Sequence, residues 1–322
     1  MYLKFLEIAK RTGVPVKKVL DMFYILQTGK PIENDELLRM VGVSKNALNQ
    51  IKQALSSFLK PTSRDTQLTP KGVNEVKSLY NKGYMNEETL WSILENRQFQ
   101  KTLELLKVFR KKKPVSKREY DQFTATLETT ARRASLLHFF ADLQGKNILF
   151  LGDGDFTSVA AAGLKKARNI TVVDIDKRIL KAIKDISGQQ NFEIETIKYD
   201  ARKSLPQALT ARFDIVFTDP PYTPEGIKLF VSRGIEALDS ENKAARIYVC
   251  YGNSDLAKER FLPIFDILAS SGLIIRWVFD KFNRYYDAQT IGSASSLIVC
   301  EITPKTKPLI KGDYDKPIYT HN

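Results

Sequence analysis

The chain has 322 residues, 43% of them apolar and 27% charged, with a formal net charge of +13. That is apolar material for packed cores and length for two or three domains. No apolar run approaches the roughly 20 residues needed to span a bilayer, and the amino terminus MYLKFLEIAKRTG lacks a signal-peptide pattern, so a cytoplasmic protein with no membrane partner is expected.

Cys250 and Cys300 each lie inside an apolar strand-like run and read as core residues, not as a disulfide or a metal site. With His138 and His321 as the only histidines, histidine-based catalysis and zinc binding are disfavoured. The positive charge is uneven. Residues 1–150 hold 26 Lys and Arg against 15 Asp and Glu, a surplus of 11, whereas residues 151–322 hold 24 against 22. Basic surplus points to nucleic acid, but here it sits in the half without the chemical motifs described below.

In chain order, Val16–Thr28 places Val16, Val19, Leu20, Phe23 and Leu26 on one helical face. Asn34 can cap a second helix through Met40, with Gly42 to stop it, and Val43-Ser44 opens a third over Lys45–Leu59. Lys60–Thr69 would then be a wing, and Leu68-Thr69-Pro70-Lys71-Gly72 looks like the end of many winged-helix domains. As a nucleic-acid reader, the third helix would present Lys45, Asn46, Asn49 and Lys52. With only two basic residues there, a degenerate winged helix used for packing or for a homodimer is favoured. Asn81–Leu106 continues helical, and the basic block Arg110–Lys113 before Pro114 reads as a linker. Arg118–Phe123 forms a bridge that could fold over a ligand crevice, followed by a helix over Leu127–Asp142.

The second half alternates as a parallel sheet requires. Strands are predicted at Asn147–Leu151, Asn169–Val173, Glu193–Ile197, Phe213–Thr218, Ala245–Tyr251, Leu273–Lys281 and Ser296–Ile302. Helices are predicted near Thr157–Lys166, Lys177–Ser187, Pro224–Leu238 and Leu256–Ser270. Seven strands, the last two hairpin-like, resemble the class I methyltransferase fold. Thr303–Asn322 has no periodicity and reads as a mobile tail. The expected organisation is α/β: a winged-helix-like domain (1–100), a helical bridge (101–145), a methyltransferase-like catalytic domain (146–303) and an irregular tail (304–322).

Two stretches carry chemistry. The run Ile148–Leu151 ends in Gly152-Asp153-Gly154-Asp155 and leads into a helix, the first βα unit of a doubly wound sheet. Glycines allow close approach of a ligand, and Gly152 and Gly154 are expected to shape the turn. A phosphate loop would offer amides to an anion; two carboxylates favour a cation. Asp174, at the end of the second strand, is placed to accept ribose hydroxyls. Asp200, past the third strand, occupies the adenine-reading position of S-adenosylmethionine folds. The second stretch, Thr218-Asp219-Pro220-Pro221-Tyr222, follows an apolar strand, so it lies at the same rim. Its prolines stiffen the turn and hold Asp219 and Tyr222 in fixed relation, the signature of enzymes alkylating an amino nitrogen. A nucleobase amine would bring phosphates that Asp153, Asp155, Asp219 and Glu225 repel, whereas those carboxylates attract a polyamine. No Arg or Lys lies in Gly152–Leu164, so the turn itself brings no cation to the crevice.

The apolar strand, the Gly-Asp-x-Asp turn, Asp219-Pro220-Pro221-Tyr222, Thr223-Pro224-Glu225-Gly226 and Gly234-Ile235 together resemble the branched-chain polyamine synthases, the N4-bis(aminopropyl)spermidine synthases of thermophiles. The likeness covers nearly the whole chain, including Tyr120-Asp121-Gln122. It implies decarboxylated S-adenosylmethionine as co-substrate without a metal, aminopropyl transfer to the internal nitrogen of spermidine, and release of 5′-methylthioadenosine. The family turn is usually Gly-Asp-Asp-Asp with the last Asp as proposed base. That places the base at Asp155, with Gly154 replacing the middle Asp. Gly152, Asp153, Gly154, Asp174, Ile175, Asp200 and Ala201 are then expected at the donor, and Asp153, Asp219, Pro220, Tyr222, Glu225 and Tyr120 at the amine. The alternatives are a nucleic-acid amino-methyltransferase using S-adenosylmethionine and a ligand-sensing winged-helix regulator.

Overall fold

The computed structural model describes residues 2–12, 14, 16–80, 92, 94–252, 258–286, 288 and 293–320. The chain divides into two compact units. One comprises Met1–Ile93 with Asn253–Glu259 and Arg284–Ala294, the other Leu94–Gly252 with Arg260–Asn283 and Ser295–Asn322. Among the described residues no helix is long and apolar enough to cross a membrane.

In the first unit, α1 (Tyr2–Thr12) and α2 (Val16–Ile25) precede a two-residue strand β1 (Ile32–Glu33), α3 (Asn34–Val41), α4 (Lys45–Ala54), β2 (Asp65–Thr66) and α5 (Pro70–Leu79). Phe5, Val19, Phe23, Leu38, Ile51 and Leu55 are fully buried in one core. Local chemistry sets the boundaries. Gly42 closes α3 at φ +69°, Ser44 Oγ caps α4 by accepting from Ala47 N, and Thr69 caps α5 with Pro70 in its first turn. Asn34 is the first residue of α3, not its cap. Its amide nitrogen donates to Ser63 O and its oxygen accepts from Lys52 Nζ at 3.0 Å. Lys52 also donates to the Asp65 carbonyl at 2.9 Å, tying α4 to the β1–β2 pair. One of the four side chains expected to face nucleic acid is therefore part of the unit's own scaffold, while Lys45, Asn46 and Asn49 are exposed.

In the second unit, α6 (Arg97–Phe109) starts at an Asn96 cap; the helix expected from Asn81 lies outside the described residues as far as Trp91. It is followed by α7 (Leu127–Phe139), β3 (Asn147–Leu151), α8 (Thr157–Gly163), β4 (Asn169–Asp174), α9 (Lys177–Gln190), β5 (Ile194–Lys198), β6 (Ile215–Thr218), α10 (Pro224–Ala237), β7 (Arg246–Tyr251), α11 (Leu262–Ser270), β8 (Ile274–Arg284) and β9 (Ala294–Glu301). All seven expected strands form, in the order β5-β4-β3-β6-β7-β9-β8. The first five are parallel, and β9 runs antiparallel to β7. Central β3 has β4 on one side and β6 on the other, with Leu151 opposite Val173 and Thr218. The strand order reverses there, so the carboxyl ends of β3, β4 and β6 share one crevice, where open α/β sheets bind ligands.

The stretch after β9 has no regular structure, as expected, yet it is docked on the sheet domain. Its backbone is met by side chains: Arg233 Nη2 donates to Gly312 O, Thr223 Oγ1 to Ile318 O, and Ser232 Oγ accepts from Leu309 N and Ile310 N. Ile318 is 1% exposed in the sheet core. Arg233 and Ser232 are themselves buried on α10, so that helix supplies the hydrogen bonds that a strand partner would otherwise give. Periodicity cannot reveal such docking. A Cβ on Gly226 would stand 2.8 Å from the Pro221 carbonyl and 2.9 Å from the Ile318 carbonyl, with rigid atoms on both sides. Gly226→Ala is expected to destabilise the fold by about 1–3 kcal/mol through overpacking. A lower urea midpoint and faster proteolysis after residue 303 check this.

Candidate functional site

The first turn of the crevice leaves β3 at Gly152, whose φ of +74° calls for glycine and whose N–H donates to Val173 O. Gly154 is different. It has no such φ, and a Cβ there would meet Ile179 Cδ1 at an ordinary 3.7 Å, so the backbone does not require glycine. Asp153 is 4% exposed and turns inward; its carboxylate accepts from Thr157 N at 2.7 Å and Ser158 N at 3.0 Å, capping α8. It braces the turn and is used up by the helix amides. Asp174, at the end of β4, accepts from Asp153 N at 3.1 Å and Asp176 N at 2.8 Å, so it fixes the glycine turn. Burial pushes its carboxyl up to about 6. Ile175 beside it is half-buried.

Past β5, Asp200 is held by the Arg202 fork, with Nη2 at 2.8 Å, and Ala201 gives its carbonyl to Arg233 Nε. Burial raises the Asp200 carboxyl, but the Arg202 hydrogen bonds and charge outweigh it and leave it below its ordinary value. The tail brings Tyr319 to this part of the rim. Its hydroxyl is pushed well above the ordinary tyrosine value by burial, then by the charges of Asp200 and Asp174. Tyr120 of the bridge meets Tyr319 with ring centroids 5.8 Å apart, and Asp121 accepts from Thr320 N at 2.9 Å. The bridge thus lies over the crevice.

At the end of β6, Pro220 and Pro221 are buried and Tyr222 OH donates to Asp219 Oδ1 at 3.1 Å. The Tyr222 ring lies between Phe123 and Tyr251, at 6.0 and 5.6 Å. Glu225 is exposed on the first turn of α10. Asp155 is where folding departs most from the local sequence. Its Oδ1 accepts from Lys113 Nζ at 2.5 Å and Ala125 N at 2.9 Å, and its Oδ2 from Arg133 Nη1 at 3.1 Å. Arg133 is fully buried in α7; its Nη2 donates to Asp219 Oδ2 at 2.7 Å and its Nε to Asn283 Oδ1 at 2.8 Å, and it lies over the Phe217 ring. One guanidinium thus joins the carboxylates at the ends of β3 and β6. Burial would raise the Asp155 carboxyl, but Lys113 and Arg133 together hold it below the usual carboxylate range.

The structure brings Asp155, Asp219 and Tyr222 together and sets Asp153, Asp174, Asp200 and Tyr120 around the same rim. Sequence reasoning missed Arg133, Lys113, Asn283 and Tyr319. The signal for Arg133 was a charged residue amid the small and apolar residues of Leu127–Phe139. For Lys113 it was the last member of a basic block stopped by proline. The absence of Arg and Lys from Gly152–Leu164 does not leave the crevice without cations, because both arrive from segments distant in sequence.

The profile of the branched-chain polyamine synthase A C-terminal domain matches residues 101–315. The chain belongs to the branched-chain polyamine synthase family. An uncharacterized protein of Methanocaldococcus jannaschii is 34% identical over 97% of this chain and 80% of its own length. The N(4)-bis(aminopropyl)spermidine synthase of the same organism is 35% identical over 69% of this chain, and the match spans 65% of that synthase. The crystal structure of the Thermus thermophilus branched-chain polyamine synthase, in complex with N4-aminopropylspermidine and 5′-methylthioadenosine, shares the fold at a TM-score of 0.67 and 22% identity, over 98% of this chain and 96% of that one. The catalytic-half sheet described above is thus the fold that this family member also has.

Burial pushes the Asp153 carboxyl up to about 7 despite the amides it accepts, against 3.8 for the unperturbed group. Between those values the unfolded chain has lost a proton that the folded chain keeps, so stability falls as pH rises from about 4 to about 7. Asp174 acts with the same sign. Asp153→Asn is expected to reduce this decline, read as urea midpoints across that range. An undiminished decline would move the titration elsewhere.

Proposed function

We propose that this chain moves an aminopropyl group from decarboxylated S-adenosylmethionine to an amine nitrogen of a polyamine such as spermidine, releasing 5′-methylthioadenosine. The observation that carries it is the Asp155–Asp219–Tyr222 cluster at the ends of β3 and β6, beside the Asp174 rim, in a member of this family. The amine lone pair forms the C–N bond at the carbon beside sulfur. The C–S pair stays on sulfur, which becomes a neutral thioether, and the surplus proton of the amine passes to a carboxylate. Asp174 and the Gly152 turn would hold the donor nucleoside, with Tyr120 and Tyr319 closing over it. Asp219 and Tyr222 would orient the acceptor, and Asp155 would accept its proton as the bond forms. The fixed cation of the cluster, Arg133, is committed to Asp155 and Asp219, which supports a donor without a carboxylate.

Mass spectrometry after incubation with spermidine is expected to detect aminopropylated product with decarboxylated S-adenosylmethionine and none with the intact compound. Methylated amine or methylated nucleic acid with the intact donor would overturn the assignment. Asp155→Asn keeps size but removes the proton acceptor, and turnover is expected to fall about 10²–10⁴-fold with partial rescue at high pH. Asp174→Asn is expected to weaken the donor instead. Turnover of Asp155→Asn near wild type at neutral pH would exclude Asp155 as the base.

The first unit is assigned to packing or dimerisation rather than base reading, since Lys52 is engaged within it. Nucleic-acid binding by the full chain is expected to be weak and salt-sensitive. Nanomolar sequence-selective duplex binding would reverse that.

A further inference from the structure

Charge counting at the end of β3 leaves one cation to explain. Asp155 and Asp219 carry two negative charges, and the buried Arg133 guanidinium, fixed by Asn283 and by both carboxylates, supplies one positive charge. The second comes from Lys113. The two cations are mounted differently. Arg133 has 1% side-chain exposure and stands in the middle of α7, whereas Lys113 has 17% and reaches Asp155 from the irregular bridge after α6. Arg133 is a planar fork that spans two carboxylates; Lys113 ends in a primary alkylammonium, a point charge with three donors. Such an ammonium is chemically the end group of a polyamine. Lys113 Nζ sits on Oδ1, the Asp155 oxygen not taken by Arg133.

Given the aminopropyl transfer proposed above, we infer that Lys113 is an internal stand-in for the acceptor: its ammonium occupies the amine position on Asp155 and must be displaced by the acceptor before transfer. With Lys113 withdrawn, Asp155, Asp219 and Arg133 hold a net single negative charge, which one acceptor ammonium neutralises. With Lys113 in place the cluster is neutral and attracts a polycation less. Lys113 thereby sets how strongly an amine must bind to enter, and it is a specificity-determining residue rather than a catalytic one. Displacement also reaches the bridge. Asp155 Oδ1 receives Lys113 from one end of the bridge and Ala125 N from the other, and between them Ser116 Oγ and Thr124 Oγ1 are 2.8 Å apart while Gln122 Oε1 accepts from Lys117 N at 2.8 Å. An entering amine releases one end of this loop and leaves the other attached.

The test uses the full chain with saturating decarboxylated S-adenosylmethionine. Lys113→Met, similar in length but uncharged, is expected to lower KM for spermidine about tenfold with donor KM unchanged, and to move the acid limb of the kcat/KM profile to higher pH because Asp155 loses one of its two cations. Lys113→Arg is expected to raise spermidine KM. Calorimetry of spermidine against protein saturated with 5′-methylthioadenosine reads the same competition without turnover, and Lys113→Met is expected to bind more tightly. A lysine that merely braces the fold would lower the melting temperature on replacement and leave spermidine KM equal or higher; that result would overturn the inference. Wild-type turnover with an unmoved KM in Lys113→Met removes the stand-in alone. Failure of the wild type to aminopropylate any amine removes the transfer assignment and the stand-in with it.

Discussion

The crevice depends on one guanidinium. Asp155 ends the turn after β3 and Asp219 begins the turn after β6, and adjacent parallel strands force these carboxylates to the same rim. Two anions cannot share a poorly hydrated site without a cation, because burial strengthens their repulsion as it removes water. Arg133 meets the requirement from α7, with a nitrogen for each carboxylate and a third for Asn283. One turn earlier on the same face, Thr130 Oγ1 donates to the Asp155 carbonyl, so the helix grips backbone and side chain of one residue. Ala131 and Ala134 beside them are fully buried and small, which lets α7 lie close.

Legibility in the sequence followed the range of the interactions. The central strands β3, β4, β6 and β7 were readable because a buried parallel strand is an apolar run closed by turn residues, and both conditions are local. The rim was readable because strand-end turns carry their own chemistry: Gly152 needs its positive φ, and the prolines after Asp219 stiffen their own segment. Partners were not readable. Asp153 looks identical to Asp155 in sequence, yet one caps α8 and the other meets two cations, a difference set by which way each side chain turns. Gly154 looked like a structural glycine because Gly152, two residues before it, is one. The Arg202 fork on Asp200 was not readable, because a side chain two residues on could equally have pointed to solvent. The tail looked mobile because its hydrogen bonds go to side chains of α10, which leave no periodic trace.

The misreadings of charge share a sign. Counting charges in short windows made the crevice appear strongly acidic, whereas the folded site is nearly balanced, with Arg133, Lys113 and Arg202 brought from outside each window. Cations held on carboxylates do not cancel the pull on a polyamine; they convert it into exchange. A free carboxylate attracts any cation in proportion to its charge. A paired one admits only an amine that makes better contacts than the group it expels, so the balance turns affinity for charge into a choice of shape.

Exchange also explains why the site is assembled from so many parts of the chain. The sheet supplies the carboxylates, α7 the fixed cation, the bridge the less buried one, and the tail, through Tyr319 and Thr320, the contacts that hold the bridge down. A crevice made only by strand ends would be open to water, and water competes for the amine and screens the charges that orient it. The bridge and tail are attached to the sheet domain through scattered side-chain contacts, such as Ala125 N on Asp155 and Leu309 N on Ser232, and not through a ladder. Each attachment can then be broken singly, which a strand ladder would not permit. Asp155 stands at the centre of this arrangement because its two oxygens face different halves of it: Oδ2 toward the rigid helix, and Oδ1 toward the segment that has to move.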